Sequence, residues 1–133
     1  MLEARPEQLV IFLGCHDIDE TERFYRDTLG LEPVLDQGRC RILRVAGEAF
    51  LGFCQKESFD AESAGVITTL ASRDVEALYE TLRARGVRFD GPLRHNPEFS
   101  ITHAFFRDPN GYLLELQRFD DPRWPAPRRG SPA

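Results

Sequence analysis

Several features that define common protein classes are missing from this chain of 133 residues. It has only three cysteines, Cys15, Cys40 and Cys54, an odd number without CxxC spacing, so neither a disulfide framework nor a zinc finger is predicted. No apolar run approaches the ~18–20 residues of a membrane span, and the first residues, MLEARPEQ, lack the apolar core of a signal peptide. We therefore expect a cytoplasmic protein with no membrane partner.

Basic residues are also in the minority. Lysine and arginine together number 17 against 22 acidic residues, which gives a net charge of −5. Nucleic-acid binding requires clustered basic side chains that neutralise phosphates, so we expect no nucleic-acid partner. The remaining partners are another protein or a small molecule, and the acidic charge is compatible with a cationic one.

The residues that are present form an ordered pattern of short elements. The apolar run 9–13 predicts a buried strand, and Asp17 with Glu20 resembles a capping box at the start of a helix. Gly30 is placed to end that helix. The elements predicted for this first module, about 8–55, are a strand at 9–13, a helix at 18–29, and strands at 31–36, 39–46 and 49–55.

The same pattern returns after a polar linker at 56–64. Asp74 corresponds to Asp17 and Gly86 to Gly30, so the chain contains an internal repeat. The elements predicted for the second module, about 65–118, are a strand at 65–71, a helix from 74 to 86, and strands at 87–90, 100–107 and 112–118. A proline-rich tail, 119–133, follows. Because each module is small, we expect the two sheets to combine as one α+β domain spanning 1–133.

Two segments, DIDETERFYRDTLGLE (17–32) and FFRDPNGYLLELQ (105–117), resemble the vicinal oxygen chelate superfamily. This superfamily contains glyoxalase I, extradiol dioxygenases and bleomycin-binding proteins. The resemblance spans about 8–118 and implies paired βαβββ modules whose cupped, mixed sheet surrounds a ligand cavity. It also implies a homodimer. It does not imply one reaction, because the fold supports several chemistries.

In metal-dependent members the resemblance implies ligands on the first and last strand of each module. The matching positions here are Val10, Phe53, Ile67 and Glu115. One carboxylate among three apolar side chains cannot hold a divalent ion, so we expect no metal and no other cofactor. Pairing across the turn at 108–111 places Ala104 opposite Glu115, which puts His103 on the other face of the sheet.

Strand alternation also predicts the cavity wall. It is apolar and partly aromatic, which is typical of a small-molecule site. The ligand-binding candidates on this wall are Phe12, Arg44, Phe53, Ile67, Thr69, Phe106 and Glu115. Alternatively, the three phenylalanines fill the core and Glu115 pairs with Arg44 or a backbone group. The same reasoning places Cys40 opposite Gln55, which argues against a Cys40–Cys54 disulfide.

Three functions are compatible with this pattern. The first is a metal-free protein that binds a small, partly aromatic molecule, as bleomycin-binding proteins do. The second is a metal-dependent lyase, isomerase or dioxygenase. The third is a metal-free enzyme in which Glu115 is the catalytic general base. The ligand positions disfavour the second, and the sequence does not separate the first from the third.

Overall fold

The computed structural model, which describes residues 4, 6–62 and 65–128, repeats one order of elements twice. The first half consists of β1 (Leu9–Cys15), α1 (Ile18–Arg23), β2 (Glu32–Asp36), β3 (Cys40–Ala46) and β4 (Ala49–Gln55). The second half consists of β5 (Ile67–Ala71), α2 (Val75–Ala84), β6 (Arg94–Asn96), β7 (Ile101–Arg107) and β8 (Leu113–Phe119). The predicted repeat of strand, helix and three strands is confirmed.

Each half forms its own four-stranded mixed sheet. The strand order is β1-β4-β3-β2 in the first sheet and β5-β8-β7-β6 in the second. In both sheets the first strand pairs in parallel with the last, and the other pairs are antiparallel. The α+β prediction is therefore confirmed, whereas the joining of the two sheets into one cup stays a prediction.

The chain divides into two compact units. One unit is Asp60–Ala126, and the other contains the described residues before it together with residues 127–128. The boundary falls inside the predicted linker 56–64, of which residues 63–64 lie outside the described part. Of the predicted tail, 129–133 also lie outside it. Among the described residues, no helix is long and apolar enough to cross a bilayer.

Local signals explain both ends of α1. The Asp17 carboxylate accepts hydrogen bonds from the backbone N–H groups of Asp19 and Glu20, at 3.0 and 3.2 Å. These bonds satisfy amide groups that the first turn of a helix leaves without partners. The helix continues into one π-helical turn, Phe24–Thr28, and Gly30 follows with a φ of 76°. The predicted helix at 18–29 is thus present, with its second half more loosely wound than an α-helix.

The predicted strand at 87–90 is not formed as such. Phe89 makes a single bridge to Phe106, and the edge strand of this sheet is β6 at 94–96 instead. The Phe89 ring packs between Tyr79 of α2 and Phe106, with ring centroids 4.5 and 5.2 Å away. Phe89 therefore contributes to packing between helix and sheet rather than to a full strand.

A β-bulge changes the register of β3 against β4. Next to the turn Ala46 pairs with Ala49, but the bulge between Arg44 and Ala46 shifts the rest of the strand by one residue. Cys40 consequently lies opposite Cys54, with Cα atoms 4.1 Å apart, and the two form a disulfide. The predicted pairing of Cys40 with position 55, and the argument against this disulfide, are both wrong.

The helix-facing sides of the sheets hold the core of each unit. Phe53 and Phe106 are both 0% exposed. Phe53 packs on Tyr25 with ring centroids 4.4 Å apart, and Phe106 packs on Phe89. The predicted placement of Phe53 and Phe106 on the ligand side is therefore wrong. Both belong to the alternative in which phenylalanines fill the core.

Candidate functional site

The pairing of β7 with β8 brings His103 and Glu115 to one face of the second sheet. Phe105, not Ala104, lies opposite Glu115, and His103 lies opposite Gln117. The predicted separation of His103 from Glu115 is wrong because the turn contains one more residue than the four assumed. Asp108 pairs with Tyr112 through a backbone hydrogen bond of 3.0 Å, which moves the ladder by one position.

Three strands surround the Glu115 carboxylate with donors. Thr69 of β5 donates its hydroxyl to Oε1 at 2.7 Å, and His103 of β7 donates Nδ1–H to Oε2 at 2.6 Å. Gln117, with its amide oriented to donate, lies 3.0 Å from both oxygens. Glu115 is only 7% exposed, and a buried carboxylate is stable only when it is paired in this way.

The hydrogen bond to Glu115 orients the His103 imidazole. With Nδ1–H directed at the carboxylate, Nε2 is the imidazole nitrogen that does not bond to Glu115. The Phe105 ring meets the imidazole edge-on, with centroids 5.1 Å apart. Carboxylate and aromatic ring together hold the imidazole in one orientation, which is how proteins prepare a histidine for binding or proton transfer.

His103 also lines an open depression of about 440 Å³, a volume in the range of small-molecule sites. The depression lies within the second unit, beside the segment that leads into β6. The side chains around it with polar or aromatic character are Asp90, Arg94, His95, Asn96, His103 and Phe105. This depression, together with Glu115 behind His103, is the candidate functional site.

A second polar network fixes the rim of the depression. The Asp120 carboxylate accepts hydrogen bonds from Thr102 at 2.7 Å and from His95 Nδ1 at 3.0 Å, and Arg118 Nε donates to it at 2.7 Å. The Arg118 guanidinium, followed by the Thr102 hydroxyl, holds the pKa of Asp120 below its usual range. An ionised Asp120 therefore anchors His95 at neutral pH.

The other predicted ligand-binding residues divide between the two units. Ile67 and Thr69 of β5 lie on the same face of the sheet as Glu115 of β8, because Thr69 is the ladder partner of Glu115. In the first unit, Phe12 is 54% exposed and its ring lies against Gly52, where an added Cβ would come within 2.5 Å of it. Arg44 lies over the Phe50 ring at 4.7 Å and pairs with Glu32 at 3.5 Å.

These residues do not suit the divalent metal that the resemblance implies for some members. Val10 and Ile67 have no donor atom in their side chains, Phe53 is buried in the core, and Glu115 is already bonded to three side chains. Within the described part of the chain, no three His, Cys, Asp or Glu side chains are grouped closely enough to hold a metal. His103 and Glu115 alone supply fewer ligands than a transition metal takes from a protein.

Sequence reasoning identified Glu115 but missed His103, Arg94 and Asp90. The signal for His103 was the turn. An aspartate at the first position of Asp-Pro-Asn-Gly accepts bonds from following amides, which lengthens the turn and changes the register. No local pattern marks Arg94 or Asp90, since Arg94 meets His103 only through the pairing of β6 with β7 and Asp90 is held beside β7 by its backbone hydrogen bond to Phe105.

Comparisons with known proteins give one family. A family model described as the Glyoxalase/Bleomycin resistance protein/Dioxygenase superfamily matches residues 8–116. Protein YraH of Bacillus subtilis (strain 168) is 26% identical over 123 residues, which span 83% of this chain and 96% of that protein.

Several solved structures share the fold of this chain. A glyoxalase/bleomycin resistance protein/dioxygenase from Nocardioides is 21% identical, with a TM-score of 0.70 over 96% of this chain and 92% of its own. A lactoylglutathione lyase from Agrobacterium tumefaciens is 20% identical, with a TM-score of 0.70 over 92% of this chain and 100% of its own. At such low identity these likenesses show the fold alone.

Proposed function

Because this chain belongs to the Glyoxalase/Bleomycin resistance protein/Dioxygenase superfamily, we propose that it binds a small, partly aromatic molecule without a metal. The observation that carries this proposal is the depression beside His103, whose imidazole is held by the Glu115 carboxylate at 2.6 Å. A polar group of the ligand bonds to His103, and its apolar part lies on Phe105.

A native mass spectrum of the purified full chain tests this function. We expect an additional bound mass that His103→Ala removes, because the substitution deletes the group that contacts the ligand. His16→Ala, in the other unit, is the matched control and should leave the bound mass unchanged. Elemental analysis should give no stoichiometric transition metal. About one nickel, iron, manganese or zinc per chain, lost on Glu115→Ala, would instead support the metal-dependent lyase, isomerase or dioxygenase.

The geometry favours a second candidate, a metal-free acid–base enzyme of the same superfamily. The specific observation is again the hydrogen bond between His103 and Glu115, a pair in which the carboxylate orients the imidazole. In this arrangement His103 faces the depression and is the better general base, whereas the predicted base, Glu115, becomes its positioning residue. Loss of turnover with binding retained in Glu115→Gln separates this candidate from a binding protein.

We also propose that the protein forms a homodimer. Strand β1 lies at the edge of its sheet and exposes apolar side chains on both faces, among them Leu9 at 58%, Ile11 at 42% and Phe12 at 54%. An exposed apolar edge strand is a surface that proteins normally cover. A second copy of this chain is the partner that closed two-fold symmetry makes simplest.

Light scattering checks the dimer. At micromolar concentration we expect a mass of about 30 kDa, twice the 15.2 kDa of one chain. Phe12→Asp places a charge on β1 and should shift the mass toward the monomer. Phe99→Asp, which alters an exposed phenylalanine in the other unit, should not. A monomeric wild-type protein contradicts the proposal.

A further inference from the structure

The depression beside His103 contains two opposite charges that do not pair with each other. Within the described residues, neither the Arg94 guanidinium nor the Asp90 carboxylate has an ion-pair or hydrogen-bond partner, and they are more than 4.0 Å apart. Most other charged side chains on the strands of this unit are paired. Arg118, for example, pairs with Glu76 and Asp120. The depression therefore presents a cation and an anion, neither of which is paired with another described side chain.

The backbone places each charge next to a residue of β7. Arg94 is the ladder partner of His103, so their side chains lie side by side on one face. The backbone N–H of Asp90 donates to the carbonyl of Phe105 at 2.8 Å, which sets Asp90 beside the next residue on that face. Same-face neighbours along a strand are about 7 Å apart, so Arg94 and Asp90 stand beside two successive positions of one face of β7, and both line the depression.

Gly91 allows the guanidinium to lie where it does. A Cβ at this position would come within 2.9 Å of Arg94 Nη2, so the guanidinium occupies space that a side chain at 91 would need. Any larger residue at 91 would displace it. Of the groups facing the site, Glu115 is already satisfied by Thr69, His103 and Gln117, and His95 is bonded to Asp120. Arg94 and Asp90 are therefore the charges available to a ligand.

We propose that the ligand is a small zwitterion whose carboxylate binds Arg94 and whose protonated amine binds Asp90, with an apolar body on Phe105. This inference rests on the proposed function and names the class of its ligand. A molecule with one charge leaves the opposite side chain of the depression unmatched and lies near a like charge. A zwitterion matches both, and each contact is a charge-assisted hydrogen bond.

The experiment compares three probes of nearly identical shape with the full-length protein at pH 7. L-Phenylalanine carries both charges, 3-phenylpropanoate only the carboxylate, and 2-phenylethylamine only the amine. Titration calorimetry should give an affinity for L-phenylalanine about tenfold higher than for either of the others.

Two variants assign the contacts. Arg94→Gln should lower the affinity for L-phenylalanine about tenfold and should not lower that for 2-phenylethylamine, whose amine then has no like charge nearby. Asp90→Asn should have the mirror effect and spare 3-phenylpropanoate. Arg88→Gln, an exposed arginine outside the depression, is the control. Both altered side chains are exposed and unpaired in the described structure, so we expect native folding, verified by circular dichroism. Arg94→Lys should restore most of the lost affinity.

The outcomes distinguish a failure of the zwitterion proposal from a failure of the proposed function. If the three probes bind equally, or none of them binds, the zwitterion is wrong. The proposed function then still stands as long as His103→Ala removes the bound mass from the native protein. If L-phenylalanine is preferred but Arg94→Gln and Asp90→Asn leave the preference intact, the assignment to these two residues is wrong. If His103→Ala leaves the bound mass in place, the proposed function itself fails.

Discussion

Phe106→Ala is expected to lower the free energy of unfolding by about 3–5 kcal/mol, the range for truncation of a buried phenylalanine. Phe106 is 0% exposed and packs on Phe89, which in turn contacts Tyr79 of α2. The substitution removes the ring on which Phe89 packs and leaves a cavity between sheet and helix. We expect a free-energy loss within this range because the whole Phe106 side chain is buried.

Urea unfolding followed by tryptophan fluorescence measures this effect. The only tryptophan of the chain, Trp124, stacks on Phe119 at a ring-centroid distance of 3.8 Å, so its emission reports on the unit that contains Phe106. Phe99→Ala is the matched control, because Phe99 is 64% exposed and its truncation should change stability by no more than about 0.5 kcal/mol. Similar midpoints for Phe106→Ala and wild type would show that Phe106 is not a core residue.

Asp108→Ala is expected to cost about 2–4 kcal/mol, because it removes two hydrogen bonds to a buried carboxylate. Asp108 is 6% exposed, and its Oδ1 accepts from the backbone N–H groups of Asn110 and Tyr112, at 2.8 and 2.9 Å. Without that oxygen, both amides lose their acceptor inside the turn. The same fluorescence measurement applies, since the turn lies in the unit that contains Trp124.

Asp108→Asn separates the hydrogen bonds from the charge. Asparagine keeps an oxygen at the Oδ1 position, so most of the stability should return, to within about 1 kcal/mol of wild type. Because this turn sets the β7–β8 register, Asp108→Ala should also weaken ligand binding at His103, whereas Asp108→Asn should not. A stable Asp108→Ala protein with unchanged binding would show that the register does not depend on this side chain.

Most of the fold follows from local sequence signals. Asp17 and Gly30 mark the ends of the first helix, the polar linker separates the units, and the repeat gives the element order of both sheets. These features depend on neighbouring residues, so hydrophobic period and capping chemistry suffice to find them. The family follows as well, from two motifs at the start and end of the globular part.

The chemistry of the candidate site is predicted less well by the sequence. Strand alternation correctly assigns Glu115 and Thr69 to one face, since both follow from the parallel pairing of β5 with β8. For His103, Phe53 and Phe106, by contrast, alternation gives the wrong face of the strand. Each of these errors comes from a register displaced by one residue, and a displacement of one inverts every side chain of a strand.

The elements, their repeat and the family are thus encoded in short stretches of sequence, whereas long-range strand pairing fixes which side chains meet. Alternation has a period of two and leaves two choices of face for every strand. Two local irregularities make that choice here: the bulge beside Arg44, which brings Cys40 to Cys54, and the Asp108 turn, which brings His103 to Glu115. The bulge depends on backbone geometry that forms only when the strands pair, and the turn depends on hydrogen bonds of the Asp108 side chain to following amides. Hydrophobic periodicity reveals neither.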